Sequence, residues 1–181
     1  MATRNPDQIE VIEAFSYGCP YCYQLEAHVR VWEPTLDNDV DFHHFHAAWN
    51  DSMRLYAQAF FTARELGVLE QIHVPLFNAL QAQQRQLTSP KMLAEFFTEH
   101  GVEQARFIEV FRSSAVQQHV AAAEERVAEY ELSGVPQFIV NGKYRVDPVR
   151  AEGRKEMLDV VDYLIDKERE LLKSSGSAGG R

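Results

Sequence analysis

Cysteine is scarce in this sequence: two residues of 181. A small fold held together by several disulfides is therefore excluded. A chain of this length buries enough surface to fold without staples. Positive charge is also in short supply, with 18 Lys and Arg against 27 Asp and Glu and a net charge of −9. That balance excludes a general nucleic-acid binder, which needs cationic side chains to displace counterions from phosphate. No apolar run approaches the roughly 18–20 residues of a membrane span. There is no internal repeat. The segment Met1-Ala-Thr-Arg-Asn-Pro6 lacks the apolar core of a signal peptide, so a cytosolic protein or a mature form without its leader is expected. At roughly 150 residues per domain, the length fits about one domain with room for an insertion.

What is there is concentrated. The two cysteines are Cys19 and Cys22, a C-x-x-C pair. Bridging so short a loop is worth roughly 2 kcal/mol on the chain-entropy model, against about 4 or more for a loop of a hundred residues. Chemistry is a better reason for the pair than stapling. Two alternatives stand beside it. One is a pair of unrelated buried thiols. The other is a zinc site, which needs about four ligands. There is no second C-x-x-C, and His43, His44 and His46 would have to complete the set from one extended stretch.

The chain reads as a sequence of elements. Ile9–Phe15 is short, apolar and rich in β-branched residues, a buried-strand pattern. Glu10, near its start, is expected to be exposed; Glu13 sits deeper. Gly18-Cys19-Pro20 looks like a strand-to-helix turn, with proline at the first helical position, where its missing N–H costs nothing. The helix is expected to run to about Trp32, with Pro34 stopping it. Val40–Ala48 is a second strand, with Val40, Phe42, His44 and His46 on one face. From about Asp51 to Tyr130 the spacing turns helical. Leu55, Ala59, Thr62 and Leu66 form one stripe, broken at Gly67. A second run covers Val74–Leu87, with Pro75 near its start. Ser89-Pro90 caps a third, which Gly101 ends. Phe107–Phe111 and Val116–Tyr130 follow. Strand signals return at Pro136–Val140, and Asn141-Gly142 marks a hairpin to Lys143–Val146. Leu158, Val161, Leu164 and Ile165 mark a closing amphipathic helix. The pattern is β-α-β, helical insert, β-β-α, an α/β fold.

A C-x-x-C at a helix start has a physical logic. The thiolate is the nucleophile, and the first helical turn offers N–H groups and the positive end of the dipole. Cys19 at the turn is the attacking or attacked sulfur. Cys22, one turn deeper on the same face, resolves the mixed disulfide. Lowering a thiol pKa from about 8.5 to about 5 stabilises the reduced form at pH 7 by roughly 2.7 kcal/mol. For a two-electron couple that raises the potential by about 60 mV. Ser133-Gly-Val-Pro-Gln137 precedes a strand; taken alone, Pro136 reads as an ordinary trans proline at a strand start.

Three ordered segments resemble one family. Phe15-Ser-Tyr-Gly-Cys-Pro-Tyr-Cys-Tyr-Gln-Leu-Glu26 is similar to the active-site segment of DsbA-type thiol:disulfide oxidoreductases. Leu66–Phe77 resembles that family's helical insert, and Ser133–Tyr144 its cis-proline loop and hairpin. The resemblance implies an α/β thioredoxin fold with an inserted all-helical domain. Residues 1–50 and 130–173 would form the thioredoxin-like part, 51–129 the insert and 174–181 a flexible tail. It implies that Cys19 and Cys22 cycle through a redox-active disulfide, with no other cofactor and no metal. It implies that Val135–Pro136 is cis, lies against the C-x-x-C and pairs with substrate backbone. Pro20 and Tyr21 would be catalytic in tuning Cys19, and Tyr21 would touch substrate. Glu13 would move protons to and from the buried thiol, with His44 on the adjacent strand as its partner. His43 and His46 are read as ordinary strand residues. The same resemblance implies a monomeric bacterial periplasmic protein that oxidises unfolded or newly exported polypeptides and is reoxidised by a DsbB-like membrane partner.

Three departures sharpen the expectation. Tyr21 stands where typical members carry histidine, so Cys19 has less help in holding its charge and a less oxidising protein is expected. His44 stands where the family usually has lysine, a change that brings titration near neutral pH. Only about eight residues precede the first strand, where the family has an additional edge strand. A reductase or isomerase of the same fold, and a redox-inactive peptide-binding or zinc-binding protein, are the alternative readings.

Overall fold

The computed structural model describes residues 8–177, with side chains through Ser174; residues 1–7 and the end of the tail, 178–181, lie outside the described residues. The described chain separates into two compact units. One holds the residues up to Ala14, Gln24–Phe45 and the chain from Gly134 on; the other holds Phe15–Tyr23 and His46–Ser133. This differs from the boundaries read in the sequence. Phe15–Tyr23, with both cysteines, groups with the helices rather than with the sheet, because the rings of Phe15 and Tyr17 pack on Phe77 and His73.

The first unit is built on a four-stranded sheet in the order β2-β1-β3-β4. Strands β1 (Ile9–Phe15) and β2 (Val40–His46) flank helix α1 (Pro20–Trp32); β3 is Gln137–Val140 and β4 Tyr144–Val146. β1 is antiparallel to β3, with Val11 opposite Val140 and Glu13 opposite Phe138. β3 and β4 form an antiparallel hairpin. Its turn needs positive φ at both central residues, which Asn141 (54°) and Gly142 (62°) supply. β2 runs parallel to β1: Ile9 N–H donates to Asp39 C=O, and six residues on Ala47 N–H donates to Phe15 C=O, both at 2.8 Å. Alternation puts Ile9, Val11, Phe138 and Val140 on one face. They pack with Leu25, Val29 and Trp32 of α1 and with Met157, Val161 and Ile165 of α7 (Glu156–Ser177). The Trp32 indole N–H donates to Asp162 Oδ1 at 2.7 Å.

The second unit contains helices α2 (Asp51–Glu65), α3 (Leu69–Phe77), α4 (Pro90–Glu99), α5 (Gln104–Phe111) and α6 (Ser114–Glu129). Each of three helices starts on a side-chain cap: Asn50 accepts from Met53 N–H, Ser89 from Met92 N–H and Ser113 from Val116 N–H. Phe60, Phe77, Phe96, Phe97 and Phe107 are fully buried and form its core. Trp49, before α2, remains 40% exposed.

Four expectations are corrected. Pro75 lies inside α3 instead of near a helix start. A π-turn, Asn78–Ala82, follows α3, closed by Gln83 N–H to Asn78 C=O at 2.9 Å, so the helical run stops short of Leu87. Glu10 is 4% exposed, since alternation turns it onto the sheet face shared with Asp41 and His43. The start of the tail is helical: α7 continues to Ser177, and the Ser174 hydroxyl donates back to Leu171 C=O at 2.8 Å.

Candidate active site

The cysteines sit where a hydrogen-bonded turn becomes a helix. Cys19 N–H donates to Ser16 C=O at 3.0 Å, and Gly18 N–H donates to Ser16 Oγ at 3.2 Å. Tyr23 N–H then donates to Cys19 C=O at 3.1 Å. Cys19 is thus the residue that caps α1, Pro20 is the first helical residue and Cys22 the third. Cys19 is half-buried, Cys22 is 1% exposed and Tyr21 between them is 53% exposed. One sulfur is open to a reaction partner and the other is withheld from solvent. A helix start favours the anionic form of the first.

The residues singled out in the sheet unit fall in two places. Glu13 and His44 meet across β1 and β2, with His44 Nδ1 at 2.9 Å from Glu13 Oε2. Glu13 is 2% exposed. Burial works against a charged His44, but the hydrogen bond and charge of Glu13 outweigh it, with Glu26 and Glu33 adding to them. His44 is held above its usual range. The Val135–Pro136 peptide is cis; Pro136 is buried and Val135 half-buried.

His46 is not an ordinary strand residue. Its Nε2 accepts the Tyr17 N–H at 3.1 Å, so the ring proton is on Nδ1, which donates to Ala47 C=O at 2.9 Å. Burial drives its pKa down to about 3, with the nearby His73 acting in the same direction. No local pattern announces this role, because the partner lies 29 residues away. His43 is 3.9 Å from Glu10. Among the described residues one group of three candidate ligands converges, Glu10, Asp41 and His43, and neither cysteine belongs to it. The zinc alternative built on both cysteines with His43, His44 and His46 therefore has no such cluster among the described residues. None of the described helices is long and apolar enough to cross a membrane.

Comparison with known proteins points in one direction. Residues 36–164 match the family described as DSBA-like thioredoxin domain. The thiol:disulfide interchange protein DsbA of Azotobacter vinelandii is 37% identical over 165 residues, covering 91% of this chain and 77% of that protein. The protein of the same name from Pseudomonas syringae pv. tomato is 39% identical over 170 residues, covering 94% and 79%. The crystal structure of Pseudomonas aeruginosa DsbA superposes with a TM-score of 0.91 at 35% identity, covering 96% of this chain and 90% of that one.

Proposed function

Since the chain belongs to the DsbA family of thiol:disulfide oxidoreductases, we propose that Cys19 and Cys22 are its exchanging pair and that it works as a dithiol oxidase. In the oxidised protein a substrate thiolate attacks Cys19 Sγ. The Cys19–Cys22 bond breaks, and Cys22 leaves with the electron pair and takes up a proton. A second substrate thiolate attacks the substrate sulfur of the mixed disulfide and expels Cys19 as thiolate. The substrate loses two electrons and two protons; the enzyme leaves reduced, with Cys22 as thiol and Cys19 as thiolate, and the second proton goes to solvent. The observation that carries this reading is the asymmetry of the pair, a half-buried Cys19 capping α1 with a buried Cys22 one turn on.

The remaining residues take roles from the family likeness. Val135 and Pro136 pair with extended substrate backbone. Tyr21 contributes exposed aromatic surface to substrate, and with Pro20 it tunes Cys19. Glu13 and His44 move the proton taken up and released by Cys22. The substrates are unfolded or newly exported polypeptides in the bacterial periplasm, a DsbB-like membrane protein restores the disulfide, and the protein acts as a monomer. The Pro20–Tyr21 dipeptide favours a second reading, a potential low enough for reduction or isomerisation.

The test is a trapping experiment with a disulfide-bonded peptide, in which the Cys19 thiolate attacks one peptide sulfur, the peptide S–S bond breaks and the other peptide sulfur leaves as thiolate; oxidase activity is read separately with the reduced dithiol peptide. Cys22→Ala accumulates a mixed disulfide on Cys19, whereas Cys19→Ala forms none and loses oxidase activity. Persistence of activity in Cys19→Ala sinks the assignment. Equilibration with glutathione fixes direction: a potential above the cytosolic glutathione poise supports the oxidase, and one near thioredoxin's supports the reductase.

A further inference from the structure

The polar contacts of unit two converge on the residues flanking the cysteines. Tyr17, two positions before Cys19, is completely buried and is held at three points. Its N–H donates to His46 Nε2 at 3.1 Å, its C=O accepts from Gln81 Nε2 at 2.7 Å and its hydroxyl lies 2.8 Å from His73 Nδ1. On the other side of the pair, the Tyr23 hydroxyl donates to Asn78 Oδ1 at 2.9 Å. Gln81 and Asn78 both belong to the π-turn Asn78–Ala82. A π-turn inserts an extra residue into helical winding and re-aims the side chains it carries. Here two of them reach the two ends of one short segment, Tyr17–Tyr23, which contains Cys19 and Cys22.

We propose that the π-turn and His46 form a brace for the exchange reaction. Gln81 and His46 clamp the peptide groups on either side of Tyr17, Asn78 clamps Tyr23, and together they fix the turn that presents Cys19 at the start of α1. None of the three touches a reacting sulfur in this account; they are positioning residues. Tyr17 is the second residue of the turn closed by Cys19 N–H and Ser16 C=O. Its two peptide planes set where Cys19 stands relative to the helix amides that stabilise a thiolate. His46 suits the task because it presents one tautomer and stays neutral, its pKa being about 3. The brace acts on the reduced form, in which Cys19 carries charge, more than on the disulfide.

The inference rests on Cys19 and Cys22 being the exchanging pair, and the experiment separates the two. Gln81→Met, His46→Leu, Asn78→Leu and Tyr23→Phe are compared with wild type by glutathione equilibration, by ultraviolet titration of the Cys19 thiolate and by melting of both redox forms. Gln81→Met and His46→Leu are expected to lower the oxidising equilibrium constant by about fivefold, the worth of one hydrogen bond, or about 20 mV for two electrons. The thiolate titration moves upward with it. Asn78→Leu and Tyr23→Phe remove one bond from its two ends, so the double variant goes no further than either single one. His46→Gln offers an oxygen to the same N–H and is expected to lie nearer wild type than His46→Leu. Gln71→Met removes a bond of the same kind to His100 C=O elsewhere on α3 and leaves both redox readouts in place. If Gln81→Met lowers the melting temperature of both redox forms equally while the equilibrium constant and titration match wild type, the brace is merely structural and the proposal is overturned. Should wild type itself show no thiolate titration and no exchange, it is the underlying assignment that has failed.

Discussion

His44 Nδ1 and Glu13 Oε2 stand 2.9 Å apart on neighbouring strands, with Glu13 almost wholly out of solvent. A buried carboxyl group paired with an imidazole differs from one paired with lysine in its titration. The imidazole changes charge within the physiological range.

His44 is held above its ordinary value of 6.5, against the burial that opposes its charge, by the hydrogen bond and charge of Glu13. A group whose pKa is raised on folding contributes stability that is fully present below the unfolded value and is lost as pH rises through the folded one. Melting temperature is therefore expected to fall as pH climbs from below 6.5 through the folded value of His44, and His44→Gln flattens that slope. An NMR titration of the ring places its midpoint above 6.5, and Glu13→Gln brings it down. A midpoint unmoved in Glu13→Gln shows the pair to be uncoupled.

Tyr21, between Pro20 and Cys22, is 53% exposed, so a replacement there meets little packing constraint. Tyr21→His introduces a side chain able to carry positive charge near the thiolate. We expect a lower Cys19 titration midpoint and a more oxidising protein, read from thiolate absorbance and glutathione equilibrium. An unchanged midpoint would separate the dipeptide from the potential.

Glu168 of α7 is 1% exposed and accepts from Asn141 Nδ2 at 2.6 Å and Lys143 Nζ at 2.5 Å. It fastens the β3–β4 hairpin to the closing helix. Burial alone would raise its pKa, but Lys143 and Asn141 bring it below the ordinary value. Its contribution is present above that ordinary value and lost as pH falls through the lower folded one. Glu168→Ala strands the buried Asn141 amide and is expected to cost about 2 kcal/mol in urea unfolding at neutral pH. Glu168→Gln keeps an acceptor and costs less. Equal losses for the two would mean that packing, not the hydrogen bonds, decides.

Ser89 caps α4 through Met92 N–H, with Pro90 at the first position. Ser89→Ala should cost about 1 kcal/mol, and Ser89→Asp should restore most of it. Urea midpoints at constant slope measure both.

The elements with local punctuation were legible in the sequence. β1 and α1 have the expected bounds because an apolar run, a turn and Pro20 mark them, and the hairpin follows from Asn141-Gly142. The cysteine pair and the Glu13–His44 meeting were legible too, the second through strand alternation and the family likeness. The π-turn was not, since one inserted residue leaves no period to detect and Pro75 suggested a helix start instead. Nor were His46, Gln81 and Asn78 as supports of the cysteine segment. Their partners lie 29, 64 and 55 residues away, and composition cannot show which side chain meets which peptide group. Glu10 illustrates the converse: an acidic residue at a strand start reads as exposed until the neighbouring strand brings Asp41 and His43 to it.

Each of the two compact units holds one of the chain's two tryptophans. Trp32 is 8% exposed in the sheet unit, and Trp49 is 40% exposed in the helical unit that also holds the cysteines. Their emission should differ in colour, blue-shifted for the first and red-shifted for the second. Single-tryptophan variants would then act as two separate optical channels, so that a change of redox state or a melting step can be followed in one unit while the other serves as the spectator.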